Sequence, residues 1–325
     1  MAEGVIVSEN DNGQRLDRWL KKHYPDVPFG AVQKILRTGQ LRVDGKRVKG
    51  DARLAAGQSI RIPPQMLQPQ PKLDRGLSDK DIDFVKSLVI YRDEDVIAVN
   101  KPAGLASQGG TKVGKNLDYL LDGLKFGNEH RPHLVHRLDM ETSGVMILAR
   151  HTQCARILSE MFRGRDIRKY YWAITTPAPE LEQGKIRSAI GKVDVGGGER
   201  IMATDGEDGK MSLTFYNVME RLGKAIAWVA FWPRTGRQHQ IRVHALEMGT
   251  PLLGDFKYAR EQEFLQENPT LPQSLHLHAR RLILPHPMTG RKLDITAPLE
   301  GDMKKTFKYF GFDADDKTDP FADLD

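Results

Sequence analysis

The chain has 325 residues, of which 39% are hydrophobic and 28% charged, and its net charge is +6. This length accommodates two domains, and this composition excludes a natively disordered chain. The single cysteine excludes an intrachain disulfide framework and a multi-cysteine zinc site. Because no apolar run approaches the ~20 residues of a membrane span and the N-terminus lacks a signal-peptide pattern, we expect a cytoplasmic protein that does not bind membranes.

Charge is distributed unevenly along the chain. Residues 1–65 contain 12 Lys and Arg against 7 Asp and Glu, whereas residues 311–325 contain 6 Asp and a single Lys. A basic surface favours a polyanionic partner such as nucleic acid. The acidic C-terminal segment matches no motif, and we predict that it is a disordered tail.

Residues 1–64 are predicted to form a small α/β domain. Leu16, Trp19 and Leu20 recur at the spacing of one helical face, and residues 32–36 repeat the pattern in a second helix, which Gly39 ends. A β-hairpin is predicted next, because residues 41–48 alternate around an Asp-Gly pair, and residues 58–62 are predicted to form a further strand. Seven basic side chains lie at polar positions of this domain and are candidates for RNA binding: Arg15, Arg18, Lys34, Arg37, Arg42, Lys46 and Arg47. A basic, solvated face on an ordinary small domain is the alternative.

A linker is predicted at residues 65–84, because the prolines there favour extended, unpacked chain. Residues 85–310 are predicted to form a larger domain. Its predicted strands include residues 88–91 and 96–99 as a pair, 145–149 as a buried strand, 170–175, and a hairpin of 213–220 with 225–232. Regular strand–helix alternation is scarce. We therefore predict an α/β domain of the α+β type, in which helices pack on a mixed, largely antiparallel sheet.

The segment 136–144, with the sequence HRLDMETSG, directly precedes the buried strand at 145–149. Its polar, turn-prone residues predict a loop at the edge of the sheet, where Asp139 lies beside Arg137. An acidic residue in such a loop is most often a turn or cap residue. Residue chemistry alone therefore makes Asp139 a candidate and no more.

A second polar segment, TGRQHQIRVH, spans residues 235–244. We predict a helix that starts near Gly236 with Thr235 as its cap and stops at Gly249. Arg237 would then lie in the first turn, where the helix dipole disfavours a cation, so it needs an acidic or phosphate partner. Arg242 would lie beside the buried stripe, within reach of a carboxylate. Two solvated arginines on a surface helix are the alternative.

Five motifs, in this order, resemble those of the RluA-type pseudouridine synthases, and most closely the RluC- and RluD-like enzymes of large-subunit ribosomal RNA. They are NKPAG at 100–104, HRLDMETSG at 136–144, KYYWA at 169–173, TGRQHQIRVH at 235–244, and residues 277–287. About 50 N-terminal residues resemble the S4 RNA-binding module that many of these enzymes carry. One position departs from the family pattern: Gln108 stands where a histidine is common, and we assign it no catalytic role.

The resemblance implies an isomerase that converts uridine to pseudouridine in 23S ribosomal RNA or its precursor. By the matched motifs, Asp139 is the nucleophile that acts on a flipped-out uridine. Arg242 is the guanidinium expected beside Asp139, where it favours the ionised carboxylate, and Tyr171 is expected to stack on the uracil. The remaining residues expected to bind the substrate are Arg137, Leu277, Lys101 and Arg237.

The reaction moves the ribose from N1 to C5 of the same base, with no redox change and no group donor, so no cofactor or metal is required. Its first step stays open, because the carboxylate can attack the base, attack the sugar, or abstract a sugar proton. We expect a monomer. Two alternatives remain: a non-catalytic RNA-binding or RNA-remodelling protein on the same fold, and a metallohydrolase built from the clustered histidines 239, 244, 276, 278 and 286.

Overall fold

The computed structural model divides the chain into two compact units, residues 1–76 and 77–325. It describes residues 4–24, 27, 29–67, 76–109, 115–164, 166–196, 199–206 and 209–324. Within these residues, no helix has the length and hydropathy that crossing a membrane requires.

The first unit combines short helices with a small four-stranded sheet. Its elements are β1 (Gly4–Ile6), α1 (Leu16–His23), α2 (Phe29–Thr38), β2 (Arg42–Val43), β3 (Lys46–Arg47), β4 (Ser59–Arg61) and α3 (Pro64–Leu67). Helices α1 and α2 pack on the antiparallel sheet, whose strand order is β1-β4-β2-β3. Its core contains the predicted helix-face residues Leu16, Trp19 and Leu20, together with Ile60 of the sheet. Asp44 (φ 48°) and Gly45 (φ 76°) both adopt the left-handed conformation that a tight two-residue hairpin requires. The helix pair, the hairpin and the following strand are thereby confirmed.

The second unit is built on a large mixed sheet of order β11-β10-β12-β13-β9-β14-β8-β6-β5, with β15 on β14 and β7 on β8. Every pairing among the described residues is antiparallel except that of β14 with β8. The predicted mixed, largely antiparallel sheet is confirmed. The elements are α4 (Asp79–Ser87), β5 (Val89–Arg92), β6 (Val96–Lys101), α5 (Leu117–Leu120), β7 (His133–Leu134), β8 (Ser143–Ala149), α6 (Thr152–Arg163), β9 (Arg168–Thr175), β10 (Gln183–Asp194), β11 (Glu199–Ala203), β12 (Lys210–Leu222), β13 (Ile226–Pro233), α7 (Gln240–Glu247), α8 (Glu263–Glu267), β14 (Leu277–Pro285), β15 (Lys292–Thr296) and α9 (Gly301–Phe310).

The neighbouring strands β9 and β13 separate two hydrophobic cores. Trp172 and Trp228 project to one face, where both rings contact Phe307 of α9. Ala173 and Val229 project to the opposite face and share a core with α7. Every residue of β13 is buried, which confirms its prediction as a central strand with two apolar faces.

Gly144 of β8 lies beside Ala279 of β14 in the parallel pairing of these two strands. It has φ 113°, and a Cβ atom added there would lie 2.3 Å from the carbonyl oxygen of Ala279. Both the dihedral angle and the space therefore require glycine. This contact joins the loop that carries Asp139 to the start of β14, which carries Leu277.

The boundary between the units differs from the predicted linker at residues 65–84. The middle of that segment, residues 68–75, lies outside the described residues, but its last part forms helix α4, whose Val85 is fully buried. Ser78 caps this helix by accepting a hydrogen bond from the Asp81 N–H at 3.2 Å. The Ser-x-x-Asp spacing is a helix-start pattern that the proline-based argument overlooked.

The acidic C-terminal segment is packed on the second unit, in contrast to the predicted disorder. Phe312 and Phe321 are 5% and 2% exposed, and the Phe321 ring contacts Tyr170 and Trp232. Arg280 adds a hydrogen bond to the carbonyl oxygen of Ala314 at 3.0 Å. The prediction of disorder rested on the acidic charge of the segment and did not consider these two aromatic side chains. Their burial offsets the entropy lost when the segment becomes ordered.

We expect Phe321→Ala to lower the free energy of unfolding by about 3–5 kcal/mol, because it leaves a cavity in this aromatic core. Chemical denaturation measures the change. The control is Leu324→Ala, which should change stability by less than about 0.5 kcal/mol because Leu324 is 45% exposed. A Phe321→Ala protein as stable as the control would show that the segment is not packed.

Candidate active site

The loop that carries Asp139 connects β7 to β8 and is held on both sides of the aspartate. The Thr142 N–H donates to the carbonyl oxygen of Asp139 at 3.1 Å. Before the aspartate, the buried Ser107 hydroxyl donates to the carbonyl oxygen of Leu138 at 2.6 Å and accepts from the Leu138 N–H at 3.1 Å. After it, the Gly104 N–H donates to the carbonyl oxygen of Met140 at 2.8 Å. The loop is therefore anchored by backbone and hydroxyl groups, which leaves the carboxylate free to face the cavity.

Lys101 supports this loop through hydrogen bonds to backbone carbonyl oxygens. It is not among the described residues that line the cavity. It is fully buried, and its ammonium group donates to the carbonyl oxygens of Pro102, Leu105 and Met140 at 2.8–3.2 Å. Burial lowers the pKa of Lys101 to about 8, and the Asp139 carboxylate opposes that shift. A lysine whose three N–H groups are all satisfied by backbone cannot reach a substrate. The predicted substrate-binding role of Lys101 is replaced by a structural one.

Helix α7 begins at Gln240, four residues later than predicted, so Arg237 lies in the loop and not in a first helical turn. Thr235 does not cap the helix directly, because its hydroxyl donates to the Gln240 side-chain oxygen at 2.7 Å. That oxygen also accepts the Arg237 N–H at 3.1 Å. The side chain of Gln240 therefore closes the loop, and Arg237 lies outside the helical turn in which the dipole was predicted to disfavour it.

A buried chain of hydrogen bonds fastens α7 to the sheet. Gln240 donates to the Thr214 hydroxyl at 2.9 Å, and this hydroxyl contacts Nδ1 of His244 at 2.8 Å. Nε2 of His244 contacts the Ser212 hydroxyl at 2.8 Å, and that hydroxyl donates to the Ser188 carbonyl oxygen. All donors are satisfied when His244 is neutral and carries its proton on Nε2. Burial accordingly lowers the pKa of His244 to about 4.

The pKa of His244 predicts loss of stability in acid. Between its ordinary pKa of 6.5 and about 4, the unfolded chain binds a proton that the folded protein excludes. The free energy of unfolding therefore falls as pH decreases through this window, with a contribution of up to about 1.4 kcal/mol per pH unit. Denaturation between pH 6.5 and 5 should show a smaller slope for His244→Gln than for the wild type. The exposed His130→Gln is the control, and equal slopes for His244→Gln and wild type would contradict the prediction.

The two polar segments meet around one cavity of about 360 Å³. Asp139 lies on its wall with 27% of its side chain exposed. Tyr171 of β9 and Leu277 of β14 line the same cavity. The two strands are paired with Ala279 beside Tyr171 and Leu277 beside Ala173, so Tyr171 and Leu277 are diagonal neighbours on one face of the sheet. Burial raises the pKa of the Tyr171 phenol above its ordinary value, and the Asp139 carboxylate adds to that rise. Tyr171 therefore stays protonated and offers an uncharged aromatic face. The lining residues are His136, Arg137, Leu138, Asp139, Thr142, Phe162, Lys169, Tyr171, Pro233, Thr235, Gly236, Arg237, Gln238, His239, Gln240, Ile241, Arg242 and Leu277.

Arg242 reaches the cavity wall, but it pairs with carboxylates other than Asp139. Its guanidinium forms a bidentate pair with the buried Asp255, at 2.8 and 2.5 Å, and a third contact to Glu141 at 3.1 Å. The expected pair of Arg242 with Asp139 is absent from the ion pairs of the described residues. The carboxylate partner that the sequence left unidentified is thus Asp255, which lies in a loop without a predicted role.

Among the described residues, the basic side chain paired with Asp139 is His239, which the sequence did not single out for this site. Nε2 of His239 lies 3.7 Å from Oδ2 of Asp139. His239 appeared only among the histidines considered for metal binding. Its place in the motif, three residues before Arg242, was the available signal, but nothing in the spacing predicts that it faces Asp139.

The other predicted contact residues are exposed. Arg137 and Arg237 both line the cavity with exposed side chains. The seven basic candidates of the first unit are also exposed. Arg15 is paired with Asp17, and Arg47 donates to the Arg37 carbonyl oxygen.

Two of the histidines considered for a metal site, His278 and His286, form hydrogen bonds within the fold. His278 contacts the Ser143 hydroxyl and the Ala297 carbonyl oxygen. Among the described residues, the carboxylate and imidazole atoms close enough for a metal belong to Asp93, Asp95 and His286. Nδ1 of His286 accepts the N–H groups of two following residues, so the proton lies on Nε2 and is directed at Asp93, 3.1 Å away. In this arrangement, hydrogen bonds occupy both ring nitrogens of His286.

Comparisons with known proteins identify the family of this chain. The RNA pseudouridylate synthase family model matches residues 95–247. Ribosomal large subunit pseudouridine synthase C of Rickettsia conorii is 34% identical over 303 residues, which cover 91% of this chain and 97% of that protein. RNA pseudouridine synthase 4, mitochondrial, of Arabidopsis thaliana is 33% identical and covers 86% and 73%, respectively. The solved structure of human RNA pseudouridylate synthase domain containing 4 has a TM-score of 0.60 at 28% identity and covers 70% of this chain and 96% of its own. The chain therefore belongs to the RNA pseudouridylate synthase family.

Proposed function

We propose that this protein isomerises specific uridines to pseudouridine in large-subunit (23S) ribosomal RNA, with Asp139 as the catalytic nucleophile. One observation carries the proposal: Asp139, Tyr171 and Leu277 face a single cavity from three separate parts of the chain. The names of relatives that align over nine-tenths of this chain support ribosomal RNA as the substrate.

Each side chain of the cavity has a role that fits its chemistry. A uridine flipped out of its stack enters the cavity, where the Tyr171 ring stacks on the uracil and Leu277 packs against it. The Asp139 carboxylate then acts on the base or the sugar, or abstracts a sugar proton. The net change moves one proton from C5 to N1 as the ribose moves from N1 to C5, so the chemistry requires no cofactor or metal.

The basic side chains serve RNA binding in this proposal. Arg137 and Arg237 at the cavity contact phosphates or occupy the gap that the flipped base leaves. Arg242 positions the cavity wall through Asp255 and Glu141. The first unit acts as an S4-like RNA-binding domain, and its seven exposed basic residues contact the phosphate backbone. We further propose that the protein is a cytoplasmic monomer.

The test is to map pseudouridines in total RNA from cells with and without the gene. We expect one or more sites in large-subunit ribosomal RNA to be lost and to return when the wild-type gene is restored. The alternative, a non-catalytic RNA-binding or RNA-remodelling protein on this fold, predicts that every site persists. A purified protein that leaves large-subunit RNA transcripts unmodified would also contradict the enzymatic proposal.

A further inference from the structure

His239 holds an unusual place in the cavity wall. It directly precedes α7 and adopts a left-handed backbone conformation, with φ 54° and ψ 20°. Such a conformation is uncommon for a residue other than glycine and tends to occur at functional sites. The side chain is only 7% exposed. Because it is surrounded by other groups, the imidazole is held in one orientation.

Tyr258 is the hydrogen-bond partner of Nδ1 of His239. The Tyr258 hydroxyl lies 2.7 Å from Nδ1 of His239. Burial raises the pKa of this phenol above its ordinary value, so the hydroxyl keeps its hydrogen and can donate it to Nδ1. Burial also lowers the pKa of His239, although the Asp139 carboxylate opposes the shift. A neutral imidazole that accepts at Nδ1 carries its proton on Nε2.

The protonated nitrogen faces the nucleophile. Nε2 of His239 lies 3.7 Å from Oδ2 of Asp139. The opposite tautomer would set an imidazole lone pair against a carboxylate oxygen, which is repulsive. Arg242 does not take this place, because Asp255 and Glu141 occupy its guanidinium.

We propose that His239, with its tautomer set by Tyr258, is the positioning residue that orients the Asp139 carboxylate for reaction. The inference rests on the proposed function and adds to it the group that holds the nucleophile. The separation of 3.7 Å is longer than a hydrogen bond, and hydrogen bonds of catalytic groups commonly shorten when substrate binds. Closure of the cavity around a uridine therefore brings Nε2–H into contact with the carboxylate and directs its second oxygen at the substrate.

Two substitutions at His239 separate this role from a structural one. Asparagine tolerates the left-handed conformation but is too short to reach Asp139, whereas glutamine places a donor close to the position of Nε2. With large-subunit RNA transcripts and protein in excess, His239→Asn should lower the single-turnover rate by about 10- to 100-fold. The RNA dissociation constant and the melting temperature should remain at wild-type values. His239→Gln should recover a large part of the lost rate.

Tyr258→Phe tests the tautomer, with Tyr309→Phe as the matched control, because Tyr309 is 59% exposed on α9. Nitrogen NMR of the histidine side chains should show a His239 that is protonated on Nε2 in the wild type and in Tyr309→Phe, and a mixture of tautomers in Tyr258→Phe. A His239 protonated on Nδ1, a wild-type rate for His239→Asn, or equal losses for the asparagine and glutamine variants would each overturn the inference. The NMR result decides it independently of activity, so a wild-type protein without activity would count against the proposed function alone.

Discussion

Asp139→Asn is expected to lower pseudouridine formation by at least about 1000-fold, because an amide cannot serve as the covalent nucleophile. Asparagine has nearly the same volume as aspartate, and the loop is held by the N–H groups of Thr142 and Gly104 and by the Ser107 hydroxyl. The cavity should therefore keep its shape. RNA affinity should change by no more than about threefold, since phosphate contacts supply most of it.

The measurement for Asp139 is a single-turnover assay on a large-subunit RNA transcript, combined with a binding assay on the same RNA. Asp83→Asn makes the same chemical change at an exposed site on α4 and should leave both quantities unchanged. An Asp139→Asn protein that keeps even a tenth of the wild-type rate would refute the assignment of the nucleophile. A variant that loses RNA affinity as well would assign Asp139 to substrate binding.

Arg242→Met is expected to destabilise the protein by about 3–5 kcal/mol, because it leaves the Asp255 carboxylate buried without a partner. Arg242 and Asp255 are 3% and 1% exposed, respectively. The same change should lower activity, because the residues before α7 and the loop of Asp255 lose the contact that joins them. The free energy of unfolding from chemical denaturation, with the single-turnover rate, measures both effects.

A double substitution shows whether the unpaired charge causes the loss. Arg242→Met combined with Asp255→Asn removes the charge as well as its partner, so it should be more stable than Arg242→Met alone. The exposed Arg260→Met is the control for replacing an arginine by methionine and should change stability by less than about 0.5 kcal/mol. If Arg242→Met and Arg260→Met are equally stable, the buried pair does not support the fold.

The sequence predicted those site residues whose role follows from the kind of side chain that a motif places at a given position. Asp139 was selected by its motif and its position before a buried strand, and Tyr171 and Leu277 by two further motifs. All three line the cavity. Lys101 belonged to an equally specific motif, but its predicted contact with substrate was wrong because a motif does not reveal burial. The lysine lies beneath the loop and donates to backbone carbonyl oxygens.

Local sequence patterns predicted the secondary structure correctly where the backbone preference or the burial of a few residues decides the conformation. The Asp-Gly hairpin, the glycine ends of α2 and α7 and the apolar strands β8 and β13 follow from backbone preference and burial. The same reasoning misplaced the start of α7, since the side chain of Gln240 closes the preceding loop through contacts with Leu213 and Thr214 on β12. It also missed the packed C-terminal segment, because the partners of Phe321 lie on β9 and β13.

The sequence by itself determined the family, the mixed sheet and the identity of the candidate nucleophile, because these depend on residue types in a fixed order along the chain. Only the tertiary structure decided which charged and polar side chains surround that nucleophile. It paired Arg242 with Asp255 and brought His239, one hundred positions along the chain, to within 3.7 Å of Asp139. The reason is physical: electrostatic contacts depend on separations of a few ångströms between loops. Those separations are set by strand register and helix anchoring, which no single motif contains.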